Sequence, residues 1–251
     1  MANKDQPPNQ TAVWDNQAQS YDEMGYWKSQ ENRANLAVLL SHIGNPKGKR
    51  FIEVGSGSGF TSAVLAERGA ECALLDLSQE ALDVGMRNFM RRGLPEPQCY
   101  NENALQSSVP SNYYDAVWNM GVLEHFYDDG KKKLVREMYR MTKPEGSVIV
   151  MVPNAWCWPF QIAQKWKKIR KSWAYGFEDD LSPRRLAKIC NYLKLDNYVS
   201  YAYNPIHAWS WFPFLNKVIA RWDTLDHHLR QTWMGYTSIL VVKKDALKNR
   251  P

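Results

Sequence analysis

Short apolar runs alternate with helix-type segments from Arg50 to Val152, and this alternation constrains the fold more than any other feature. Phe51 to Val54, Cys72 to Leu77, Gln98 to Asn101, Tyr114 to Trp118 and Ser147 to Val152 read as strands. Residues 60–68, the stretch from Ser78 to Gly93, and residues 130–142 read as helices. Ser78 suits a helix N-cap, and Gly69 and Gly93 suit helix ends. Lys143-Pro144-Glu145-Gly146 reads as a turn. Strands this short and this continuously apolar belong in a parallel sheet covered on both faces. Right-handed crossovers then place every ligand-facing loop at the carboxyl ends of the strands.

The rest of the chain arranges itself around that core. Residues 1–12 are polar and contain proline, which predicts a disordered tail. Residues 13–49 read as N-terminal helices, helical over 13–43 and broken by Asn45-Pro46-Lys47-Gly48. Residues 50–154 form the ligand-binding core, 155–195 a Trp-rich helical insertion, and 196–251 the last strand pair, Asn197 to Tyr203 and Thr237 to Lys243. Between those strands, 205–234 is aromatic and is expected to cap the sheet. A chain of 251 residues, 44% apolar, suits one α/β domain with an insertion. No run is apolar enough for a membrane span, and the N-terminus lacks a basic flank and apolar stretch, so a cytoplasmic location is expected. Cys72, Cys99, Cys157 and Cys190 are widely spaced and read as free thiols.

The first strand runs into Glu53-Val54-Gly55-Ser56-Gly57-Ser58-Gly59, followed by a helix. Glycines let the backbone turn sharply beside a ligand, and the helix N-terminus offers free N–H groups. The spacing is G-x-G-x-G, not the G-x-G-x-x-G of a dinucleotide site. Glu53, at the mouth of the loop, suits a cationic ligand better than a pyrophosphate. Asp76 ends the second strand, where a carboxylate can accept both hydroxyls of a ribose.

With these residues the sequence resembles the class I S-adenosylmethionine-dependent methyltransferases. Glu53 to Gly59 resembles their first motif and Leu74-Leu75-Asp76 their second. Asn103-Ala104-Leu105 resembles the segment that lies against the adenine. Tyr114 to His125 resembles the fourth motif of the small-molecule branch, which includes quinone O-methyltransferases. Lys143 to Asn154 resembles the closing motif. The resemblance implies a doubly wound, mostly parallel, seven-stranded Rossmann-like sheet with the last strand antiparallel, plus a helical cap. It implies S-adenosyl-L-methionine as cofactor, held across strands one, two and four. Gly55, with Gly57 and Gly59, approaches the methionine part beside Glu53; Asp76, followed by Leu77, holds the ribose. Asn103 and Ala104 face the adenine, Asn119 and Met120 lie beside the ligand, and Arg33 matches in position an arginine that meets the methionine carboxylate.

Methyl transfer from a sulfonium is an in-line displacement, so alignment and exclusion of water supply much of the acceleration. A base is needed only where the acceptor must lose a proton, as a phenol does. His125 is the candidate base, since an imidazole titrates near neutral pH, and Glu124 orients it or binds the acceptor. The competing reading is that this pair caps the next helix. Quinone-methylating relatives carry a further glutamate that helps hold a divalent metal. Here that position is Gly121, so no metal is expected. His207, His227 and His228 fall in the expected cap and take no role.

Eight of the eleven tryptophans lie between Trp156 and Trp233, so the second half has a different task from the first. Trp158, Ile162, Trp166, Ile169 and Trp173 recur at helical spacing over 157–173, among Lys165, Lys167, Lys168, Arg170 and Lys171. Three readings stand: a stripe packed on the core, a lid over a lipophilic acceptor, or a helix lying on a membrane surface through 156–173. Nucleic acid is not the expected partner, because the fourth motif lacks the pattern that base-methylating relatives use, and the net charge of +6 is modest. The expected activity is methyl transfer to a small aromatic or lipophilic acceptor, at oxygen before nitrogen or carbon. The alternatives are a cofactor-binding protein without turnover, or a methyltransferase acting on nucleic acid or protein.

Overall fold

The computed structural model describes residues 5–8, 10–18, 20, 30–173, 175–203 and 234–246. The expected cap over 205–234, with His207, His227 and His228, lies largely outside the described residues. Helices α1 (Gln10–Ala18) and α2 (Gln30–Ile43) precede the core. The core then runs β1 (Arg50–Val54), α3 (Phe60–Glu67), β2 (Glu71–Asp76), α4 (Gln79–Arg91), β3 (Gln98–Asn101), β4 (Tyr114–Met120), α5 (Asp128–Met141) and β5 (Thr142–Pro153). Helices α6 (Trp158–Ile169) and α7 (Pro183–Leu193) lead to β6 (Tyr198–Tyr203) and β7 (Thr237–Lys243).

The strands form one seven-stranded sheet of order β3-β2-β1-β4-β5-β7-β6. β1 to β5 are parallel, and β7 inserts antiparallel between β5 and β6. The chain winds one way from β1 to β3 and the other way from β4, so the strand order reverses between β1 and β4. A crevice opens there, outside the carboxyl ends of the strands.

Side-chain alternation explains why the sheet is covered on both faces. Ile52, Val54, Leu75, Val117, Val148 and Val150 pack with Leu134, Val135 and Met138 of α5 and Leu186 of α7. Their strand neighbours Phe51, Ala116, Trp118, Ile149 and Met151 pack with Leu36 and Leu39 of α2 and Phe60 and Val64 of α3 on the other face. Local signals agree with this packing. The Ser78 side chain caps α4 by accepting from the Ala81 N–H at 3.1 Å, and Ser182, followed by Pro183, caps α7.

Two local expectations need correction. Residues 5–8, predicted as part of a disordered tail, include a segment tied to α5: the Asp5 carbonyl accepts from the Tyr127 N–H at 2.9 Å, and its carboxylate meets Lys133 at 2.6 Å. α1 likewise starts at Gln10, inside that stretch. Lys143 to Gly146 is not a free turn before a strand. It is an irregularity within β5, whose register with β4 shifts between Tyr114↔Thr142 and Ala116↔Ser147. Glu145 adopts φ 65°, and its N–H donates to the Lys244 carbonyl at 2.9 Å, so the excursion stays paired to the chain beyond β7. All four cysteines are free thiols.

Candidate active site

At the end of β1 the chain passes through Gly55, Gly57 and Gly59 at φ 67°, 52° and 60°. This left-handed conformation is costly for a residue with a Cβ. Space adds a second reason at Gly55, where a Cβ would sit 2.5 Å from Val122 Cγ2 in the loop after β4. The N–H groups of Gly55 and Ser56 donate to the Leu75 carbonyl at 2.7 and 3.2 Å, and Asp76 also holds the turn in place. The Asp76 carboxylate accepts the Gly57 N–H at 2.8 Å and the Ser78 N–H at 3.0 Å, joining the ends of β1 and β2. Burial raises the Asp76 pKa, and those N–H groups pull it part of the way back.

Glu53 is buried beneath the loop. Burial pushes its carboxyl up to about 8, against the Ser62 hydroxyl, which donates to Oε2 at 2.5 Å. A carboxyl in that condition gains most from a cation arriving nearby, because an opposite charge restores the ionised form.

These groups line one end of a cleft of about 660 Å³, together with Leu77, Asn103, Ala104 and Met120. The cleft brings Glu53, Gly55, Gly57 and Asp76 together. Gly59 does not line it; a Cβ there would meet Leu74 Cδ1 at 2.8 Å and Gly85 Cα at 3.2 Å, so this glycine serves the packing of α3 on α4. Asn119 is also absent, because strand alternation turns it to the other face, where its amide donates to Met138 Sδ at 3.4 Å. Arg33 is exposed on α2 and does not reach the cleft; Asn32 and Asn35 line it instead.

The other end of the cleft is aromatic and acidic. Trp14 from α1, Phe160 from α6, Trp173, Tyr175 and Tyr236 form its wall. Phe160 meets Tyr236 edge-on at 5.0 Å, and Trp14 meets the His125 ring edge-on at 4.7 Å. Glu124 and His125 lie in a single 3-10 turn after β4, both buried. Burial raises the Glu124 carboxyl well above its ordinary value, helped by the charges of Glu178 and Asp180, and its Oε2 has no hydrogen-bond partner among the described residues. The expectation that His125 titrates near neutral pH is corrected. Burial lowers its pKa to about 4, outweighing the Phe177 and Gly121 carbonyls that favour the protonated ring. The Phe177 carbonyl, 2.8 Å from Nδ1, can only accept, which assigns the proton of the neutral ring to Nδ1. Nε2 lies 4.0 Å from both Glu124 Oε1 and Glu178 Oε1. With a neutral ring and raised carboxyls, these contacts are not ion pairs at neutral pH.

Glu178 is the site residue that sequence reasoning missed. It belongs to Glu178-Asp179-Asp180, three consecutive acids in an otherwise basic insertion directly before the Ser182 cap. That charge reversal was the available signal.

A doubly wound sheet of this strand order, with a glycine turn and a strand-end acid at its switch point, is the cofactor half of the class I S-adenosylmethionine-dependent methyltransferases. Residues 52–150 match the family model described as "Methyltransferase domain". The chain is 28% identical over 206 residues to a probable tocopherol O-methyltransferase, chloroplastic, of Oryza sativa subsp. japonica, covering 78% of this chain and 55% of that protein. It is 28% identical over 182 residues to the ubiquinone biosynthesis O-methyltransferase of Azoarcus sp., covering 70% and 76%. The chain thus spans only about half the length of the rice relative. Among solved structures, a methyltransferase of Thermotoga maritima described as a possible histamine N-methyltransferase superposes with a TM-score of 0.65 at 12% identity, over 94% of this chain and all of that one. That likeness concerns the fold.

Proposed function

We propose that this chain transfers a methyl group from S-adenosylmethionine to a hydroxyl of a small lipophilic acceptor. One observation carries the reading: a single cleft joins the Gly55–Gly57–Asp76 end to an aromatic wall bearing buried carboxyls. The two relatives named as O-methyltransferases of tocopherol and of ubiquinone biosynthesis support a lipophilic acceptor methylated at oxygen. The residues fit the cofactor. Gly55 and Gly57 leave room for close approach, Asp76 offers carboxylate oxygens to a ribose, and Glu53 receives a cationic group. Asn103 and Ala104, beside Leu77, form the adenine side, and Met120 adjoins the reacting end. Bound there, S-adenosylmethionine supplies a methyl group on a good leaving group. The chain's own residues align the acceptor and exclude water: Trp14, Phe160 and Trp173 cover it, while Glu124 and His125 orient its hydroxyl.

Calorimetric titration with S-adenosylmethionine and with its demethylated product tests the premise, and no binding of either sinks it. Labelled cofactor incubated with fractionated lipid extract then reads transfer. A protein that binds cofactor and labels no fraction is a binder without turnover.

We propose further that α6 lies on an anionic membrane surface, from which a lipophilic acceptor enters. The packed-stripe reading does not account for the exposures: Trp158, Ile162, Trp166 and Ile169 are 45%, 52%, 59% and 75% exposed. The opposite face of α6 carries buried Phe160 and Gln164, and Phe160 lines the cleft. One helix therefore presents an apolar face outward and closes the cleft with the other. Lys165 sits on the outward side of the helix and Arg170, just past its end, lies over the Trp166 ring at 5.2 Å; each cation near an anionic surface is worth about 1 kcal/mol. No helix among the described residues is long and apolar enough to cross a membrane. Flotation with phosphatidylglycerol vesicles, and not with phosphatidylcholine vesicles, is the expected result. An Ile162→Ser/Trp166→Ser variant that floats as well as the parent refutes it.

A further inference from the structure

The segment from Phe177 to Leu181 is clamped from five directions. The Asp179 N–H donates to the Glu124 carbonyl at 2.9 Å, and the His125 ring donates to the Phe177 carbonyl at 2.8 Å, fastening it to the turn after β4. The Leu181 N–H donates to the Pro153 carbonyl at 3.2 Å at the end of β5. Asp179 pairs with Lys131 of α5 at 2.5 Å and with Arg185 of α7 at 2.6 Å. Asp180 accepts from Gln161 and Gln164 of α6 at 2.6 and 3.1 Å. An isolated acidic loop would spread into solvent. This one turns Asp179 to its two cations and presses Glu178 and Asp180 inward.

Glu178 is the member that reaches the cleft. Its side chain is 6% exposed, and Gln164 donates to Oε2 at 2.8 Å. That bond fixes the carboxyl and leaves Oε1 toward the His125 Nε2, 4.0 Å away. A gap of that length is too long for a direct hydrogen bond. It lies beside the neutral imidazole and the buried Glu124 carboxyl, in the half of the cleft where the acceptor belongs.

We propose that Glu178 is the catalytic base, taking the proton of the acceptor hydroxyl, and that His125 is a positioning residue. The proposal rests on the methyl-transfer reading above. In the step, the acceptor O–H bond breaks and its proton goes to Glu178 Oε1. The electron pair stays on oxygen and forms the bond to the methyl carbon, while the carbon–sulfur pair leaves with sulfur. Protonation chemistry agrees with the geometry. Burial and the charge of Asp180 raise the Glu178 carboxyl to about 8, against Lys168 and the Gln164 bond. A base of that strength is matched to a phenol near neutral pH, whereas an imidazole held at about 4 is not. The groups facing Glu178 are Glu124 and His125 from the turn after β4, Asp180 from its own segment, and Gln164 and Lys168 from α6. A sulfonium bound nearby adds an opposite charge and favours the ionised base when it is needed.

The test reads protons before it reads turnover. Titration calorimetry of S-adenosylmethionine at pH 7.5, in buffers of different ionisation enthalpy, counts protons released on binding. Glu178→Gln is expected to release fewer, by on the order of half a proton, with cofactor affinity within about threefold. With 4-hexylcatechol as acceptor, Glu178→Gln is expected to lose about 10²–10³-fold in kcat and the rising limb of its pH profile. Glu178→Asp keeps that limb, and His125→Asn keeps it too. Equal proton release by Glu178→Gln and the parent overturns the proposal, as does a kcat within threefold. Failure of the underlying reading looks different, because then neither protein binds the cofactor.

Discussion

Replacing Glu53 by glutamine isolates the cost of holding an acid beneath the glycine loop. Below pH 4.5 the carboxyl is protonated in both folded and unfolded chains, so the substitution changes little there. Between 4.5 and about 8 the folded protein retains a proton that the unfolded chain has released, and stability falls as pH rises. At 1.36 kcal/mol per pH unit, the displacement corresponds to a cost of at most roughly 5 kcal/mol above pH 8 and about 3 kcal/mol at pH 7. Glutamine removes that cost and can still accept from the Ser62 hydroxyl, which lies 2.5 Å from Oε2. Glu53→Gln is therefore expected to match the parent near pH 4.5 and to exceed it increasingly toward pH 8. Urea melts of both proteins at pH 5, 6, 7 and 8 give the difference directly, and the other raised acids cancel between the two chains. A difference that stays constant over this range refutes the reasoning, since Glu53 would then titrate as it does in water. The stabilised variant should bind S-adenosylmethionine more weakly, because it lacks the carboxylate that the cation restores.

Three further outcomes follow from the geometry. Asp76→Ala frees the Gly57 and Ser78 N–H groups and removes the ribose acceptor, so calorimetry should show cofactor affinity falling about 10–150-fold; an unchanged affinity would refute the placement. Gly55→Ala puts a Cβ against Val122 at φ 67° and should weaken binding at least about tenfold, with Val122→Ala in the same chain recovering part of the loss. Lys131, 1% exposed, pairs with Asp179; burial raises that carboxyl, but Arg185 and Lys131 outweigh it and bring it down to about 2. Lys131→Met should cost only about 1 kcal/mol in a denaturant melt, because Asp179 is 35% exposed and keeps Arg185, and a variant more stable than the parent would refute a stabilising clamp.

The cofactor half was legible because its signals are local. A glycine that needs positive φ, an acid at a strand end and a serine before a helix each announce a backbone geometry within a few residues. The strand alternation likewise pointed to a parallel sheet covered on both faces, since short apolar runs need burial on each side. Asn119 and Arg33 show where locality ends. Both were read from motif position, but the strand pleat turns Asn119 away, and the helix face leaves Arg33 outside the cleft.

The acceptor half was decided by tertiary structure. Periodicity revealed an aromatic stripe over Trp158 to Ile169, but a stripe has no direction until something packs against the helix. Phe160 and Gln164 took the inner face, so the tryptophans face out. His125 reads as a neutral-pH base in any sequence, because its ordinary pKa is a property of the residue; burial lowered it, against the pull of the Phe177 carbonyl. Glu178 reads as surface charge for the same reason, until a clamped loop carries it inward. Sequence alone determined the glycine turn and the strand-end acid at the switch point. Only the fold determined which carboxyls line the cleft, because desolvation and charge proximity depend on neighbours that are distant along the chain.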